Sequence, residues 1–171
     1  MAWEGFRQAL YEDPAGVETV LAVKIKATAQ RAAAKPSVAT ELAWVIEKES
    51  AWRPDIRHPT SKTKATGLIQ FTEATAKQLG TTVDDLIKMS RFQQAQYVQK
   101  FFDLVNKTAV AFGDVYLMTF SPSAVGKPNE YVIYEPGTAG WKENPGLRVS
   151  PEGPITAGRV RQLGTPPTDE L

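Results

Sequence analysis

The stretch from Ala43 to Gly80, AWVIEKESAWRPDIRHPTSKTKATGLIQFTEATAKQLG, decides how this chain is organised. It begins in a helical pattern that ends at a Glu-Ser pair, Glu49-Ser50, and it continues through a polar loop rich in turn formers. Gly67-Leu68-Ile69-Gln70 then precedes a second helix, which Thr72 can cap. The sequence therefore predicts two helices joined by a long polar loop, with a carboxylate at the end of the first helix.

The first of these helices places one of its three glutamates on an apolar face. Ser37 can cap the helix, and an apolar stripe with the spacing i, i+4, i+7 and i+8 follows, made of Val38, Leu42, Val45 and Ile46. One more step along the stripe reaches Glu49, whereas Glu47 points away from it and Glu41 lies near its polar edge. The periodicity predicts that Glu49 is on the buried side and that Glu41 and Glu47 are solvated.

A carboxyl group on an apolar helix face has a raised pKa, because burial disfavours its ionised form. A carboxylic acid that stays protonated near neutral pH can act as a general acid, and cleavage of a glycosidic bond requires such an acid beside the bridging oxygen. A structural explanation competes with this one, since a glutamate at a helix end can also pair with Arg53 or cap backbone groups. The helix alone favours the structural explanation, because structural carboxylates outnumber catalytic ones.

The second half of the stretch favours catalysis. Gly67 would let backbone approach a ligand closely, and the Gln70 amide can both donate to and accept from a sugar hydroxyl or N-acetyl group. Trp52, beside the Glu-Ser pair, has a flat apolar face that either stacks on a sugar ring or packs in the core. Trp44 is interpreted as a core residue. Together these residues predict a sugar-binding cleft around Glu49.

The rest of the chain predicts an all-α domain followed by a different kind of segment. A chain of 171 residues with 42% apolar residues can bury a core of its own. Helical periodicity continues to about residue 120, but residues 121–171 hold eight of the twelve prolines. We therefore predict a catalytic domain over residues 1–128 and a loop-rich, Pro- and Gly-rich extension over residues 129–171, with a disordered tail from about Thr165.

Composition excludes several other classes of function. The formal net charge is +1 and the basic residues are scattered, which argues against nucleic-acid binding. The chain has no cysteine and a single histidine, His58, so thiol chemistry and a histidine-bound metal are not expected. Residues 144–156 resemble a calcium loop that lacks its acids, with Arg148 and Arg159 where carboxylates would be needed. We predict no metal and no cofactor.

The chain also lacks the sequence patterns of membrane insertion and secretion. No apolar run approaches the roughly 20 residues of a membrane span, and the start, MAWEGFRQALYEDP, has no basic segment followed by an apolar one. We therefore predict no stable membrane insertion and no signal peptide. If the substrate lies outside the cytoplasm, another route must deliver the protein.

Two of these motifs together resemble a known family. Glu49-Ser50-Ala51-Trp52-Arg53-Pro54 and Gly67-Leu68-Ile69-Gln70-Phe71-Thr72 resemble the Glu-Ser and Gly-Leu-Met-Gln signatures of soluble lytic transglycosylases. The resemblance covers roughly residues 37–128. The later stretch YLMTFSPSAVGKPNEYVIY is more similar to forms encoded by bacteriophages. The resemblance implies a lysozyme-like helical fold and action on the glycan strands of peptidoglycan. The missing signal peptide fits delivery by a holin or a virion.

The same resemblance implies roles for individual residues. Glu49 would be the single acid/base: it protonates the leaving oxygen, and the muramyl C6 hydroxyl then closes a 1,6-anhydro ring without water. Ser50 and Gln70 would be polar contacts near it, and Ile69 would be the apolar wall.

The third signature of the family, Ala-Tyr-Asn-Ala-Gly, is altered in this chain. Thr119-Phe120-Ser121-Pro122 stands in its place. Phe120 keeps the aromatic ring but lacks the hydroxyl that orients the catalytic carboxylate in the family, and Ser121 replaces the asparagine. We therefore expect the orienting hydroxyl to be missing, and we interpret Phe120 and Ser121 as sugar contacts, with a core position as the alternative for Phe120.

Two alternatives to a transglycosylase follow from these features. A second carboxylate would favour a hydrolytic muramidase of the goose-type lysozyme kind, because an inverting enzyme needs a base that activates water. Asp55, Glu73 and Asp114 are the candidates, but each occupies a turn, cap or first-turn position that explains it structurally. The altered third signature and the Pro-rich extension also fit a structural or glycan-binding protein of a virion or tail with little activity.

Overall fold

The structure, a computed structural model, describes residues 2–58 and 64–167. The α-helices among these residues are α1 (Glu4–Glu12), α2 (Pro14–Leu21), α3 (Ala29–Ala33), α4 (Val38–Ser50), α5 (Glu73–Gln78), α6 (Val83–Leu86), α7 (Arg91–Val105), α8 (Asp114–Phe120), α9 (Ala139–Glu143) and α10 (Ala157–Gly164). Two short 3-10 helices cover Pro122–Ala124 and Pro145–Leu147. Two short strands, β1 (Val132–Tyr134) and β2 (Ile155–Thr156), pair antiparallel. The predicted all-α class is confirmed.

Helix α4 is the central helix of the fold. The Ser37 hydroxyl caps it by accepting from the Thr40 N–H at 3.1 Å, and it ends where Ala51 takes a left-handed conformation with φ 48°. The predicted stripe is buried, with Leu42, Val45 and Ile46 fully shielded from solvent. Because α1, α2, α8 and α10 all pack against α4, its other faces are covered as well.

The N-terminal and middle helices frame α4. Helix α2 packs along α7, and α7 begins with the predicted capping box, in which Ser90 and Gln93 exchange side-chain and backbone hydrogen bonds. Thr72 and Thr82 cap α5 and α6 as predicted. No helix within residues 2–58 and 64–167 combines the length and the apolar character that crossing a bilayer requires.

The C-terminal extension is less loop-rich than the sequence predicted. It contains both strands, α9 and α10, and α10 packs against α8 and α4. Its buried apolar residues Leu147, Ile155, Ala157 and Val160 belong to the same core as α4. The Trp44 indole N–H donates to the Leu163 carbonyl at 3.0 Å. The high proline count hid this helix, although residues 157, 160, 161 and 164 have helical spacing. Of the predicted tail, residues 168–171 lie outside the described residues.

Candidate active site

Glu49 lies in the last turn of α4, where that helix packs against α8, and its side chain is partly exposed. The Tyr116 hydroxyl of α8 is the neutral side chain that acts on this carboxylate, as a hydrogen-bond donor that lowers its pKa. Burial raises the pKa of Glu49 above its ordinary value, and the Tyr116 hydrogen bond and the Lys48 charge offset only part of that rise. None of the ion pairs formed by the described residues involves Glu49. The group therefore has a neutral partner and a raised pKa, as a general acid requires.

Tyr116 supplies the hydroxyl that the sequence led us to expect to be missing. It lies in the first turn of α8 and is 7% exposed. Burial raises the pKa of Tyr116, and the charge of Glu49 and the hydrogen bond to it raise that pKa further. The phenol is therefore a donor at all physiological pH values. The prediction of a missing orienting hydroxyl is corrected.

Phe120 lies one helical turn beyond Tyr116, on the same face of α8. Its half-buried ring meets the Tyr134 ring edge-on at a centroid distance of 5.9 Å. Ser121 follows directly and is also half-buried. Sequence reasoning assigned Phe120 to the orienting position and missed Tyr116. The i, i+4 spacing of these two aromatic residues is the signal that could have identified Tyr116.

Ser50 and Trp52 are structural residues rather than sugar contacts. Ser50 is buried, and its hydroxyl bridges the carbonyls of Ile46 at 3.1 Å and Leu68 at 3.0 Å. Trp52 is 0% exposed and packs edge-on against Phe6 at a centroid distance of 5.2 Å. Successive left-handed conformations at Ala51 and Trp52 turn the indole into the core beneath α1. Both predicted sugar contacts are therefore corrected.

The segment from Gly67 to Gln70 is a closed turn beside the end of α4. Thr66 and Phe71 exchange backbone hydrogen bonds of 3.0 and 2.8 Å at its base. Gly67 has φ +79°, and a Cβ there would lie 2.5 Å from the Gln94 amide oxygen. The left-handed backbone and the close Gln94 side chain both favour a glycine here, and a role in ligand approach stays a prediction. The Ser50 bridge to Leu68 fixes this turn against the helix that carries Glu49.

Gln70 is the residue of this turn that keeps partial exposure and can contact a substrate. Gln70 is half-buried, adopts a left-handed conformation with φ 54°, and donates from its amide to the Gly67 carbonyl at 3.0 Å. Its amide oxygen accepts no hydrogen bond from a described residue. Ile69 is buried at 4% exposure beside it. This arrangement is compatible with the predicted polar contact and apolar wall.

Gln94 of α7 organises this region, and sequence reasoning missed it. Its buried amide oxygen accepts from the Leu68 N–H at 3.0 Å, and its NH₂ group donates to the carbonyls of Pro54 and Leu86, both at 2.7 Å. A single side chain thus connects the two ends of the long loop to α6 and α7. Gln94 lies four residues before Val98, on the apolar stripe of α7. A polar residue on that stripe was the sequence signal that could have identified it as buried.

The other two glutamates of α4 are not solvated, contrary to the prediction. Glu41 is 0% exposed, forms an ion pair with Arg31, and accepts from the Gly113 N–H at 2.9 Å. Glu47 accepts from the N–H groups of Gly5 at 2.9 Å and Phe6 at 2.7 Å and so caps α1. Neighbouring elements cover the faces of α4 that appeared polar in the sequence, and each carboxylate has a defined partner there.

The three candidate second carboxylates each pair with a cation. Asp55 lies 3.5 Å from Arg53 and Glu73 lies 3.3 Å from Lys64, and both pairs are well exposed. Asp114 is buried and lies 2.7 Å from Arg161. Each of these carboxylates is thus held in an ion pair, which Glu49 is not among the described residues. These three residues therefore differ from Glu49 in their surroundings.

Comparison with known proteins identifies a family for this chain. The model of the transglycosylase SLT domain matches residues 26–120, more than half of the chain. No curated protein and no solved structure matches the chain. The matched region includes Glu49, the Gly67–Gln70 turn and Tyr116, and it ends before the C-terminal extension. The chain therefore belongs to the transglycosylase SLT domain family, which has a lysozyme-like fold and peptidoglycan as its substrate.

Proposed function

We propose that this protein cleaves the β-1,4 bond between MurNAc and GlcNAc as a lytic transglycosylase, with Glu49 as the single general acid/base. The observation that carries the proposal is the surroundings of Glu49. Its carboxyl group is partly exposed, has a raised pKa, and is held by a neutral phenol instead of a cation. A group in these surroundings can hold a proton and still reach a substrate.

The proposed reaction uses one carboxyl group twice. Protonated Glu49 gives its proton to the bridging oxygen while the bond from that oxygen to the muramyl C1 breaks and positive charge develops at C1. The resulting carboxylate then takes the proton of the muramyl C6 hydroxyl, whose oxygen bonds to C1 and closes the 1,6-anhydro ring. Glu49 ends protonated as it began, and no water is consumed. Tyr116 donates to the carboxylate during the interval in which it is ionised.

The single-acid mechanism is supported by the pairing of the other carboxylates. A hydrolytic mechanism of the inverting kind needs a free base that activates water. Asp55, Glu73 and Asp114 each lie beside a cation, and Asp114 is buried as well. We therefore prefer ring closure by the C6 hydroxyl to attack by water.

The sugar contacts are assigned to residues that keep partial exposure near this junction. Gln70 can accept from a sugar hydroxyl or N-acetyl N–H with its amide oxygen, and the half-buried Phe120 can pack against a sugar ring beside Tyr134. Ser121 can donate from its hydroxyl, and the buried Ile69 lies beside Gln70 as the apolar wall behind these contacts. Ser50 and Gly67 act behind them by fixing the Gly67–Gln70 turn.

The experiment compares wild-type protein with Glu49→Gln and Glu47→Gln variants on purified peptidoglycan sacculi. Glu47→Gln is the matched control, since it makes the same change on the same helix and its remaining amide oxygen can still cap α1. We expect 1,6-anhydromuramyl products from wild type and from the control, seen by mass spectrometry, and a loss of about 10²- to 10⁴-fold in Glu49→Gln. Reducing-end products from wild type would show a muramidase, and no product would favour a binding role.

The setting that we propose is bacteriophage action on the host wall, during lysis or infection. It is supported by the similarity of residues 116–134 to phage-encoded forms, and the action of the family on peptidoglycan fits it. Delivery by a holin or a virion would account for access to the wall. Detection of the protein in purified virions would indicate delivery by the particle, and its presence only in late lysates would indicate release by a holin.

A further inference from the structure

Two buried ion pairs hold the beginning of α8. Asp114, the first residue of the helix, accepts from Arg161 Nε at 2.7 Å and from the N–H groups of Val110 at 2.9 Å and Ala111 at 2.8 Å. One residue earlier, the Gly113 N–H donates to Glu41, which pairs with Arg31. No side-chain cap is present at Gly113. Charged groups from α4 and α10 therefore fix the residues at the start of this helix.

The arginine that pairs with Asp114 belongs to the C-terminal extension. Arg161 belongs to α10, is 8% exposed, and also donates from Nη1 to the Lys127 carbonyl at 3.0 Å and to Asn129 Oδ1 at 2.9 Å. Its own carbonyl lies so close to Gly113 that a side chain there would collide with it. Arg161 therefore connects α8, α10 and the chain between them, from outside the matched residues 26–120.

Tyr116 lies two residues beyond Asp114, in the same helical turn. A displacement of the first turn of α8 would carry the phenol with it, because only one residue of the helical backbone separates Asp114 from Tyr116. The groups that act on the Glu49 carboxyl are Tyr116 from α8 and Lys48 from α4. The position of the Tyr116 hydroxyl relative to Glu49 therefore depends on the contacts that fix the first turn of α8.

We propose that Arg161 is a positioning residue for the reaction: through Asp114 it holds the first turn of α8, and with it the Tyr116 hydroxyl, against Glu49. This inference rests on the proposed role of Glu49. It makes the C-terminal extension a functional part of the active site, although the extension lies outside the family match. The extension is thus required for the orientation of the acid and not only for the completion of the core.

Arg159 provides the matched control. It lies on the same helix two residues earlier, is partly exposed, and donates from Nη1 to Gln162. It takes part in none of the ion pairs formed by the described residues. Replacing either arginine by glutamine removes one positive charge from α10, but only Arg161→Gln breaks the connection to α8.

The experiment measures the ionisation of Glu49 directly. Protein labelled with carbon-13 at the glutamate side-chain carboxyl is titrated by NMR, with Glu49 assigned from its missing signal in Glu49→Gln. We expect Arg161→Gln to shift the Glu49 midpoint upward, because the Tyr116 hydrogen bond that lowers its pKa is weakened. Cleavage of sacculi should fall about 10- to 100-fold, as for a misplaced catalytic group. Arg159→Gln should match wild type in both measurements.

An unchanged Glu49 midpoint in folded Arg161→Gln, or the same shift in Arg159→Gln, would overturn the proposal. If Arg161→Gln does not fold, the double variant Asp114→Asn/Arg161→Gln takes its place, because it leaves no buried charge alone; the same outcomes apply. The NMR titration needs no substrate. Full activity of Glu49→Gln would therefore refute the proposed function, whereas the titration would still decide whether Arg161 positions Tyr116.

Discussion

The two ends of α4 each carry a carboxyl group in a low-exposure environment, and the two differ in their partners. Near the N-terminal end, Glu41 is fully buried and has the Arg31 guanidinium and the Gly113 N–H as partners. At the C-terminal end, Glu49 keeps some exposure and is held by the Tyr116 hydroxyl. One helix therefore contains a structural carboxylate and a candidate catalytic acid eight residues apart.

The difference shows that burial alone does not identify a catalytic acid. Burial raises the pKa of both groups, and for Glu41 the Gly113 hydrogen bond and the Arg31 charge work against the rise. A cation in contact makes a carboxylate part of a structural network, and a neutral donor leaves it able to exchange a proton. The two groups also differ in exposure: Glu49 is partly exposed and Glu41 is not. A catalytic group needs that exposure to reach its substrate.

The largest expected effect is on stability at the Glu41 end. Glu41→Gln leaves Arg31 buried without its charged partner, so we expect the free energy of unfolding to fall by about 3 kcal/mol. Urea unfolding followed by circular dichroism measures this change. Glu47→Gln, which keeps an acceptor for the α1 cap, should lose no more than about 1 kcal/mol. Equal losses in the two variants would contradict the structural role assigned to the Arg31–Glu41 pair.

A somewhat smaller loss is expected at the other end of α4, in the support of the Gly67–Gln70 turn. Gln94→Leu leaves the Leu68 N–H and the carbonyls of Pro54 and Leu86 without their partner, which should cost about 2 kcal/mol of stability. Cleavage of sacculi should decrease as well. Gln96→Leu, on the exposed face of α7, is the control. Wild-type stability in Gln94→Leu would show that the turn does not depend on this side chain.

The next effect concerns the neutral partner of Glu49. Tyr116→Phe removes only the hydroxyl, and we expect the cleavage rate to fall about 10-fold, the equivalent of one hydrogen bond to a charged group. Initial rates of muropeptide release measure it. Tyr97→Phe on α7 is the control, since its contact with the Lys100 ammonium uses the ring face. If Tyr116→Phe cleaves at the wild-type rate, the Tyr116 hydroxyl does not orient Glu49.

The smallest expected effect is a gain in stability in Glu49→Gln, whereas Glu41→Gln should lose stability. Because the folded-state pKa of Glu49 is raised, its ionisation disfavours the folded state as the pH rises from the unfolded-state pKa through the folded-state pKa. Glu49→Gln should therefore stabilise the protein at neutral pH, by about 0.5 kcal/mol. The gain should vanish in acid, where Glu49 is protonated in both states. Thermal melts at pH 7 and at pH 3 compare the two conditions, and a loss of stability at pH 7 would disagree with the raised pKa.

The sequence predicted the local features of this fold well. The α4 stripe and the capping residues Ser37, Thr72, Thr82 and Ser90 are confirmed, because both features depend on residues within two turns of one another. The family and the lysozyme-like fold followed from two short signatures. The role of Glu49 as acid remains a prediction.

The features that the sequence did not predict depend on contacts between distant residues. The partners of Glu41 and Glu47 lie on α3, α8 and α1, so a helical wheel of α4 alone shows both as solvated. Tyr116 on α8 interacts with Glu49 on α4, and the two residues are 67 positions apart in the sequence. The role of α10 was hidden by the prolines around it. In each case the residue contacts an element that is distant in sequence, and the periodicity of a single helix cannot predict such a contact.

The central claim is that the proton on Glu49 is the one delivered to the glycosidic oxygen. The most direct test records the rate of anhydromuropeptide release against pH and compares its alkaline limb with the carbon-13 NMR titration of Glu49 in the same protein. The account predicts that the two midpoints coincide and that both lie above the ordinary pKa of a glutamate. A rate that stays constant through the Glu49 titration, or a Glu49 that titrates at its ordinary value, would contradict it.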